Sequence, residues 1–293
     1  MLLVTYEKAG QCRLGALDRE TKTVIPLEQM GRNVPNDMLE LIRAGEEAMT
    51  VCRKALQAGS MNRLSLSEIC LRAPIVRPPR NIICIGKNYR AHANEIKSLP
   101  SGAADVPDQP IVFTKATTTV IGPKEPIPSY LDTTGTTDYE GELGVVIGRG
   151  GREITRAEAM SHVFGYTILN DVTSRALQKR HGQWFLGKSL DGFCPMGPAI
   201  LTADEVANVG DLCVQTHVNG ELRQQGCVSE LIFDIPTLIE TLSAVMTLQA
   251  GDIIATGTPA GVGAGFTPPR YLKPGDVVSV SIAPIGVLDN PVE

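Results

Sequence analysis

The stretch DYEGELGVVIG, residues 138–148, carries two signals at once. Its second half, LGVVIG, is a short apolar run ending in glycine, which reads as a strand. Its first half sets Glu140 and Glu142 two residues apart at the start of that run. On a strand, residues i and i+2 point to the same side, so the two carboxylates share a face. Two like charges beside an apolar run are costly unless something positive lies between them. A divalent cation meets that need. The alternative is a pair of surface charges on an edge strand, and spacing alone leaves both readings open.

Working outward, YTILNDVTSR (166–175) is a second apolar strand, ending in Asp171. A third carboxylate at a strand end completes a set of hard oxygen donors of the kind Mg²⁺ or Mn²⁺ takes. The four histidines, His92, His162, His181 and His217, have no paired spacing, which disfavours zinc. PIVFTK, VQTHVNG and DVVSVSIAPIG also read as strands bounded by Gly, Pro or Asp. Helices are few. The clearest is DIPTLIETLSAVMTL, with Asp234 as N-cap, Ile235, Leu238, Ile239, Leu242, Val245 and Met246 on one face, and Gly251 as its end. The chain is therefore α+β and strand-dominated, not an alternating β-α-β chain.

Residues 1–74 read as a small N-terminal α+β domain. LLVTYE, CRLGALD and TVIPL are its strands, and VPNDMLELIRAGEEAMTVCRKALQAG its helix. LRAPIVRPPRN, with three prolines, is the candidate linker, and residues 75–293 form the larger domain. Just inside it, NYRAHANEI offers one or two helical turns, and KSLPSGAADVPDQP (97–110) reads as a mobile loop.

Composition narrows the function. The chain has 293 residues, 43% of them apolar, enough for a substantial core. Its net charge of −5 excludes the basic footprint that nucleic-acid binding needs. No apolar run approaches the ~20 residues needed to span a membrane. The N-terminus lacks the pattern of a signal peptide. The seven cysteines form no C-x-x-C pair and several lie in apolar runs, as Cys84 does in NIICIG. Buried free thiols, and hence a cytoplasmic, reducing compartment, are expected.

Two motifs mislead. GQWFLGKS (182–189) matches the string of a phosphate-binding loop, but its variable positions include Trp184, Phe185 and Leu186. The next nine residues, LDGFCPMGP, cannot easily start the helix that such a loop requires. GVGAGF (261–266) follows a strand-like run but precedes TPPRYLKPGD, so a dinucleotide turn is also excluded. No nucleotide is expected as a ligand, which leaves Lys188 in need of another role.

GKNYRAHANE, DYEGELGVVIG, GYTILNDVTSRALQKRHGQWFLGKS, CPMGP, VNGELRQ and AGDIIATGTPAGVG occur in this order. Together they resemble the fumarylacetoacetate hydrolase family over roughly residues 75–290. The likeness is nearest to its bacterial acylpyruvase and oxaloacetate-decarboxylase type members with a small N-terminal domain. The resemblance implies a mixed β-sandwich roll, a Mg²⁺ or Mn²⁺ ion and a homodimer. It places Glu140, Glu142 and Asp171 on metal-ligand positions and Lys188 on an active-site lysine. It sets Arg175, Gln178 and Thr258 on the substrate side. His92 and Glu95 match a proton-transfer pair on a segment ordered as a lid.

The chemistry so implied is cleavage of a C–C bond in a small 2-keto acid through an enolate stabilised by the cation. Hydrolysis of a 2,4-dioxo acid such as fumarylpyruvate or fumarylacetoacetate, or decarboxylation of oxaloacetate, are the leading readings. Keto–enol tautomerisation on the same scaffold and non-catalytic ligand binding are the alternatives. His92 and Glu95, three apart on a helical turn, would let the carboxylate orient the imidazole. ATP is expected to leave the melting temperature of the protein unchanged, while Lys188→Met lowers turnover. A saturable ATP-induced stabilisation lost in Lys188→Met would restore the phosphate-loop reading.

Overall fold

The computed structural model describes residues 1–59, 61–95 and 106–293. Of the loop expected at 97–110, residues 97–105 lie outside the described residues. The chain opens with an antiparallel meander, β1 (Leu2–Lys8), β2 (Gln11–Asp18) and β3 (Thr23–Pro26), followed by α1 (Met38–Ala58). Asp37 caps α1 by accepting from the N–H groups of Leu39 and Glu40, and the helix is broken at Gly45. Two short strands follow, β4 (Leu64–Ser65) and β5 (Cys70–Arg72). Next come β6 (Ile82–Gly86), α2 (Arg90–Glu95), β7 (Ile111–Lys115), β8 (Val120–Ile121), β9 (Thr137–Asp138), β10 (Gly141–Ile147) and β11 (Val163–Asn170). The order continues with β12 (Thr173–Ser174), α3 (Arg175–Arg180), α4 (Phe185–Lys188), β13 (Cys194–Thr202), β14 (Cys213–Val218) and β15 (Glu221–Cys227). It closes with α5 (Ile235–Val245), β16 (Ile253–Ala255), β17 (Val277–Ile282) and β18 (Gly286–Pro291).

These strands form the strand-dominated α+β fold that the sequence predicts. A twelve-stranded mixed sheet runs β4-β3-β2-β1-β13-β11-β10-β16-β6-β7, with β5 added to β1 and β8 to β13. A four-stranded sheet, β15-β14-β17-β18, packs beside it. The first strand pairs with β13, Leu2 opposite Leu201 and Leu3 opposite Ile200, so the N-terminal meander continues the main sheet. No helix among the described residues is long and apolar enough to cross a membrane.

Strand β10 lies inside the sheet, between β11 and β16, and all seven of its residues are buried. Its period of two divides them. Leu143, Val145 and Ile147 join a core with Ile168, the α5 residues Leu238, Ile239 and Leu242, and Val214 and Val280 of the smaller sheet. Val146 faces a second core with Leu169, Ile253 and the α1 residues Leu41 and Ile42. Glu140 and Glu142 belong to that second parity, at the strand's entrance. Gly141 lets the smaller sheet come close there. A Cβ on it would lie 2.2 Å from Thr216 Oγ1 and 2.9 Å from Val280 Cγ1.

Two expectations need correction. Cys213 and Cys227 are opposite each other across β14 and β15 and form a disulfide, Cα–Cα 3.9 Å. Strand register, which no C-x-x-C spacing signals, brings them together. Cys12 and Cys70 are exposed thiols, whereas Cys52, Cys84 and Cys194 are buried and free as expected. The argument for a reducing compartment loses the support of the bonded pair. Helix α5 starts where its Asp234 cap predicts, with Asp234 accepting from Thr237 N–H, but it ends at Val245. Leu248 already pairs with Gly151 in an isolated bridge, so the chain is extended well before Gly251.

Ile168 is fully buried at the centre of the main core. Ile168→Ala is expected to cost about 2–5 kcal/mol of stability. The fall in the denaturant midpoint, with secondary structure retained, measures it.

Candidate active site

The entrance of β10 assembles four buried carboxylates. Asp138 ends β9, Glu140 immediately precedes β10, Glu142 lies on it, and Asp171 leaves β11. The Glu140 backbone is pinned to that neighbour: its N–H donates to Asn170 Oδ1 (3.0 Å) and its carbonyl accepts from Asp171 N–H (2.8 Å). The ligand oxygens of Glu140, Glu142 and Asp171 lie within 4.8 Å of one another. At an effective dielectric near 20, each such like-charge pair costs roughly 3 kcal/mol.

Three buried cations offset part of this. Lys188, at the end of α4, places Nζ 2.7 Å from Glu140 Oε2 and 2.6 Å from Asp171 Oδ2. Arg175, the first residue of α3, sets Nη1 2.7 Å from Glu140 Oε1 and Nε 2.8 Å from Asp138 Oδ2. Lys115, at the end of β7, sits 2.7 Å from Asp171 Oδ1 and donates to the Val172 carbonyl at 2.9 Å. Burial alone would raise Glu140, but Lys188 and Arg175 outweigh it and hold its carboxyl down to about 2. Burial works against the charge on Lys188, yet Asp171 and Glu140 leave its pKa above the ordinary lysine value.

Glu142 is the exception. It accepts one backbone hydrogen bond, from Gly257 N–H at 2.8 Å, and forms no ion pair among the described residues. Burial, then Asp171 and Glu140, push its carboxyl well above the ordinary value. The cluster is thus short of positive charge on the side that Glu142 faces. Three carboxylates with hard oxygen donors and an uncompensated charge fit a divalent ion such as Mg²⁺ or Mn²⁺.

The other predicted residues close round the same cleft. His92, Glu140, Glu142, Arg175, Gln178, Lys188 and Thr258 all line it. Gln178 lies one helical turn after Arg175 and accepts from its Nη1 at 3.3 Å. Thr258 follows β16, donates to the Gly141 carbonyl (2.9 Å) and accepts from Gln224 Nε2 (2.7 Å). His92 is buried on α2, with Nδ1 3.2 Å from Glu95 Oε2. Glu95 itself stands behind His92 rather than in the cleft wall. Arg175 and Gln178 lie on α3, whereas Asp171 precedes that helix and reaches the cluster from the strand end.

Sequence reasoning missed four contributors. Lys115 was visible as the terminal lysine of the apolar run PIVFTK, and Asp138 as the third member of an i, i+2, i+4 acidic series. Phe113 and Trp184, edge to face at 5.2 Å, wall the cleft, with Lys188 Nζ 5.0 Å from the Phe113 ring centre. The phosphate-loop string thus supplies a wall residue and a buried cation: its second half is the short helix α4.

Residues 81–293 match the family described as fumarylacetoacetate (FAA) hydrolase C-terminal. The chain belongs to the fumarylacetoacetate hydrolase family. It is 50% identical over 282 residues to oxaloacetate tautomerase YisK of Bacillus subtilis, covering 94% of this chain and 91% of that protein. Among solved structures, a fumarylacetoacetate hydrolase from psychrophilic Exiguobacterium antarcticum superposes with a TM-score of 0.85 at 43% identity, covering 100% of this chain and 99% of that one. Maleylpyruvate hydrolase from Sphingobium sp. SYK-6, in complex with manganese(II) ion and pyruvate, gives 0.80 at 31%, with coverage of 100% and 98%. Members of this family so named are enzymes, and so is this chain.

The raised pKa of Glu142 has a thermodynamic sign. Without metal, the folded state holds that proton more tightly than the unfolded chain, whose ordinary value is 4.5. The stabilisation is full below that value and is lost as pH rises through the folded-state value. Metal-free Glu142→Gln should therefore be more stable than metal-free wild type at about pH 8, with a gap that closes toward pH 4.5. Mg²⁺ or Mn²⁺ is expected to raise the melting temperature of the wild type, and Glu142→Gln to lose that rise. Thermal melts with and without EDTA measure both.

Proposed function

We propose that this enzyme converts a small 2-keto acid through its enolate, with Glu140, Glu142 and Asp171 holding Mg²⁺ or Mn²⁺, and that oxaloacetate keto–enol tautomerisation is its reaction. The observation that carries the reading is the convergence of that carboxylate cluster with Lys188, Arg175 and His92 on one cleft. The 50% identity to a named oxaloacetate tautomerase supports this choice of reaction. A bound divalent ion supplies electrophilic stabilisation of negative charge on the keto oxygen.

The chain's own residues supply the rest. Pairing of His92 Nδ1 with Glu95 makes Nδ1 the protonated nitrogen and leaves Nε2 as an acceptor. Nε2 then takes a proton from C3 of the keto acid. Lys188, kept fully charged by its carboxylate partners, donates a hydrogen bond to the C2 oxygen as electrons move onto it, and the proton taken up by His92 is then returned to that oxygen, giving the enol and restoring the imidazole. The Arg175 Nη2 group is buried and without a hydrogen-bond partner among the described residues, so it is available to a substrate carboxylate. Gln178 and Thr258 border the same space. Phe113 and Trp184 exclude water from one side. A homodimer is part of this proposal.

Hydrolysis of a 2,4-dioxo acid is the second reading, favoured by the full-length likeness to maleylpyruvate hydrolase. There His92 would deprotonate a water for attack at C4. Oxaloacetate decarboxylation removes no proton from C3 and needs no attacking water. A panel of keto acids with Mg²⁺ and Mn²⁺ separates the three. Oxaloacetate tautomerisation should be the fastest, His92→Ala should lower it about 10²- to 10⁴-fold, and Glu140→Ala should abolish it. Residual decarboxylation should suffer less from His92→Ala. An acylpyruvate turned over faster than oxaloacetate is tautomerised would install the hydrolase reading instead.

A further inference from the structure

The glycine-rich run 261–265, the second misleading motif, has a use in this fold that involves no nucleotide. Gly261 adopts a left-handed backbone, φ 107°, and its N–H points at Glu95, 2.9 Å from Oε1 and 3.1 Å from Oε2. A Cβ on Gly265 would lie 2.1 Å from Glu95 Oε1 and 2.4 Å from its Cδ. The Glu95 carboxylate therefore fills the space that residue 265 leaves by having no side chain. Its other oxygen holds His92 Nδ1.

The run is fastened from beneath. Asp138 Oδ1 accepts from Gly263 N–H (2.7 Å) and Oδ2 from Ala264 N–H (3.0 Å). The same carboxylate accepts from Arg175 Nε, and Arg175 pairs with Glu140. One fully buried acid thus joins the glycine run to the carboxylate cluster. Helix α2 has only six residues and cannot hold its own position by length. Its fixed point toward residues 261–265 is the Glu95 carboxylate.

We propose that residues 261–265 form a seat for the Glu95 carboxylate that positions His92 over the cleft, with Asp138 as the positioning residue that anchors the seat to Arg175. The consequence for turnover rests on the proton-transfer role assigned to His92 above. The seating of α2 does not, and it can be read without turnover.

Gly265→Ala tests it. The backbone there is not left-handed, and the three atoms nearest the added methyl all belong to the flexible Glu95 side chain, so the fold should survive and Glu95 be expelled. In the Mg²⁺-loaded protein, amide hydrogen exchange across residues 90–95 should rise by at least about tenfold, as expected for loss of a charge-assisted hydrogen bond. The kcat for oxaloacetate should fall by about 10- to 100-fold, the usual loss for a supporting partner, with KM nearly unchanged. Glu95→Ala, which adds no bulk, should loosen the same segment, and the double variant should be no worse than either single one. Unchanged exchange in both single variants, or additive losses in the double variant, overturns the seat. Loosened exchange in both singles without any turnover of keto acids, in wild type or variants, upholds the seat and defeats the proposed reaction instead.

Discussion

Like charge confined in a small dry volume is the constraint round which this protein is organised. Asp138, Glu140, Glu142 and Asp171 are buried together, and each must be stabilised by something the fold brings from elsewhere in the chain. Lys115 comes from β7, Arg175 from α3 and Lys188 from α4, while Gly257 and the 263–264 backbone supply N–H donors. None of these is near the acids in sequence except Arg175, which begins the helix just after Asp171. Breaking any one pair leaves an uncompensated buried charge, a loss of about 3–5 kcal/mol in comparable cases. The rigidity of the site follows from that penalty.

The same constraint explains local choices that look arbitrary. Glycine at 141 brings the smaller sheet against the start of β10. A turn after β16 presents Gly257 N–H to Glu142 and Thr258 to the Gly141 carbonyl within two residues. The short helix α4 exists to carry one lysine inward: Lys188 is 1% exposed, whereas Phe185 and Leu186 face outward at 39% and 51%.

Periodicity made the strands readable, and with them the shared face of Glu140 and Glu142, because a strand's alternation is local. The Asp234 cap was readable for the same reason. Pairings across the sheet were not. Cys213 and Cys227 meet only through the register of β14 on β15, and Lys115 reaches Asp171 only because β7 closes the far edge of the sheet. The end of α5 was misplaced because Leu248 is claimed by Gly151, nearly a hundred residues earlier. The convergence of Arg175, Gln178, Lys188 and His92 on the carboxylates came from the family likeness, because the residues are brought together by elements distant in sequence.

The position of β16 has a bearing on how the chain assembles. Strand β10 pairs with it, Gly144 opposite Ala255, and β6 joins the sheet through it, Ile83 opposite Ile254 in parallel. A ribosome that has released residues 82–86 has made a wholly apolar strand whose inner neighbour will not appear for well over a hundred further residues. Until then the antiparallel pair of β6 and β7 has an open edge, and β10 is flanked on one side only. Pairings of such long sequence separation are slow to close and leave strand edges open to other chains in the meantime. The central sheet, and the acidic pocket at its end, can therefore be completed only after β16 has emerged, and the inner edge of β6 stays open during synthesis until then.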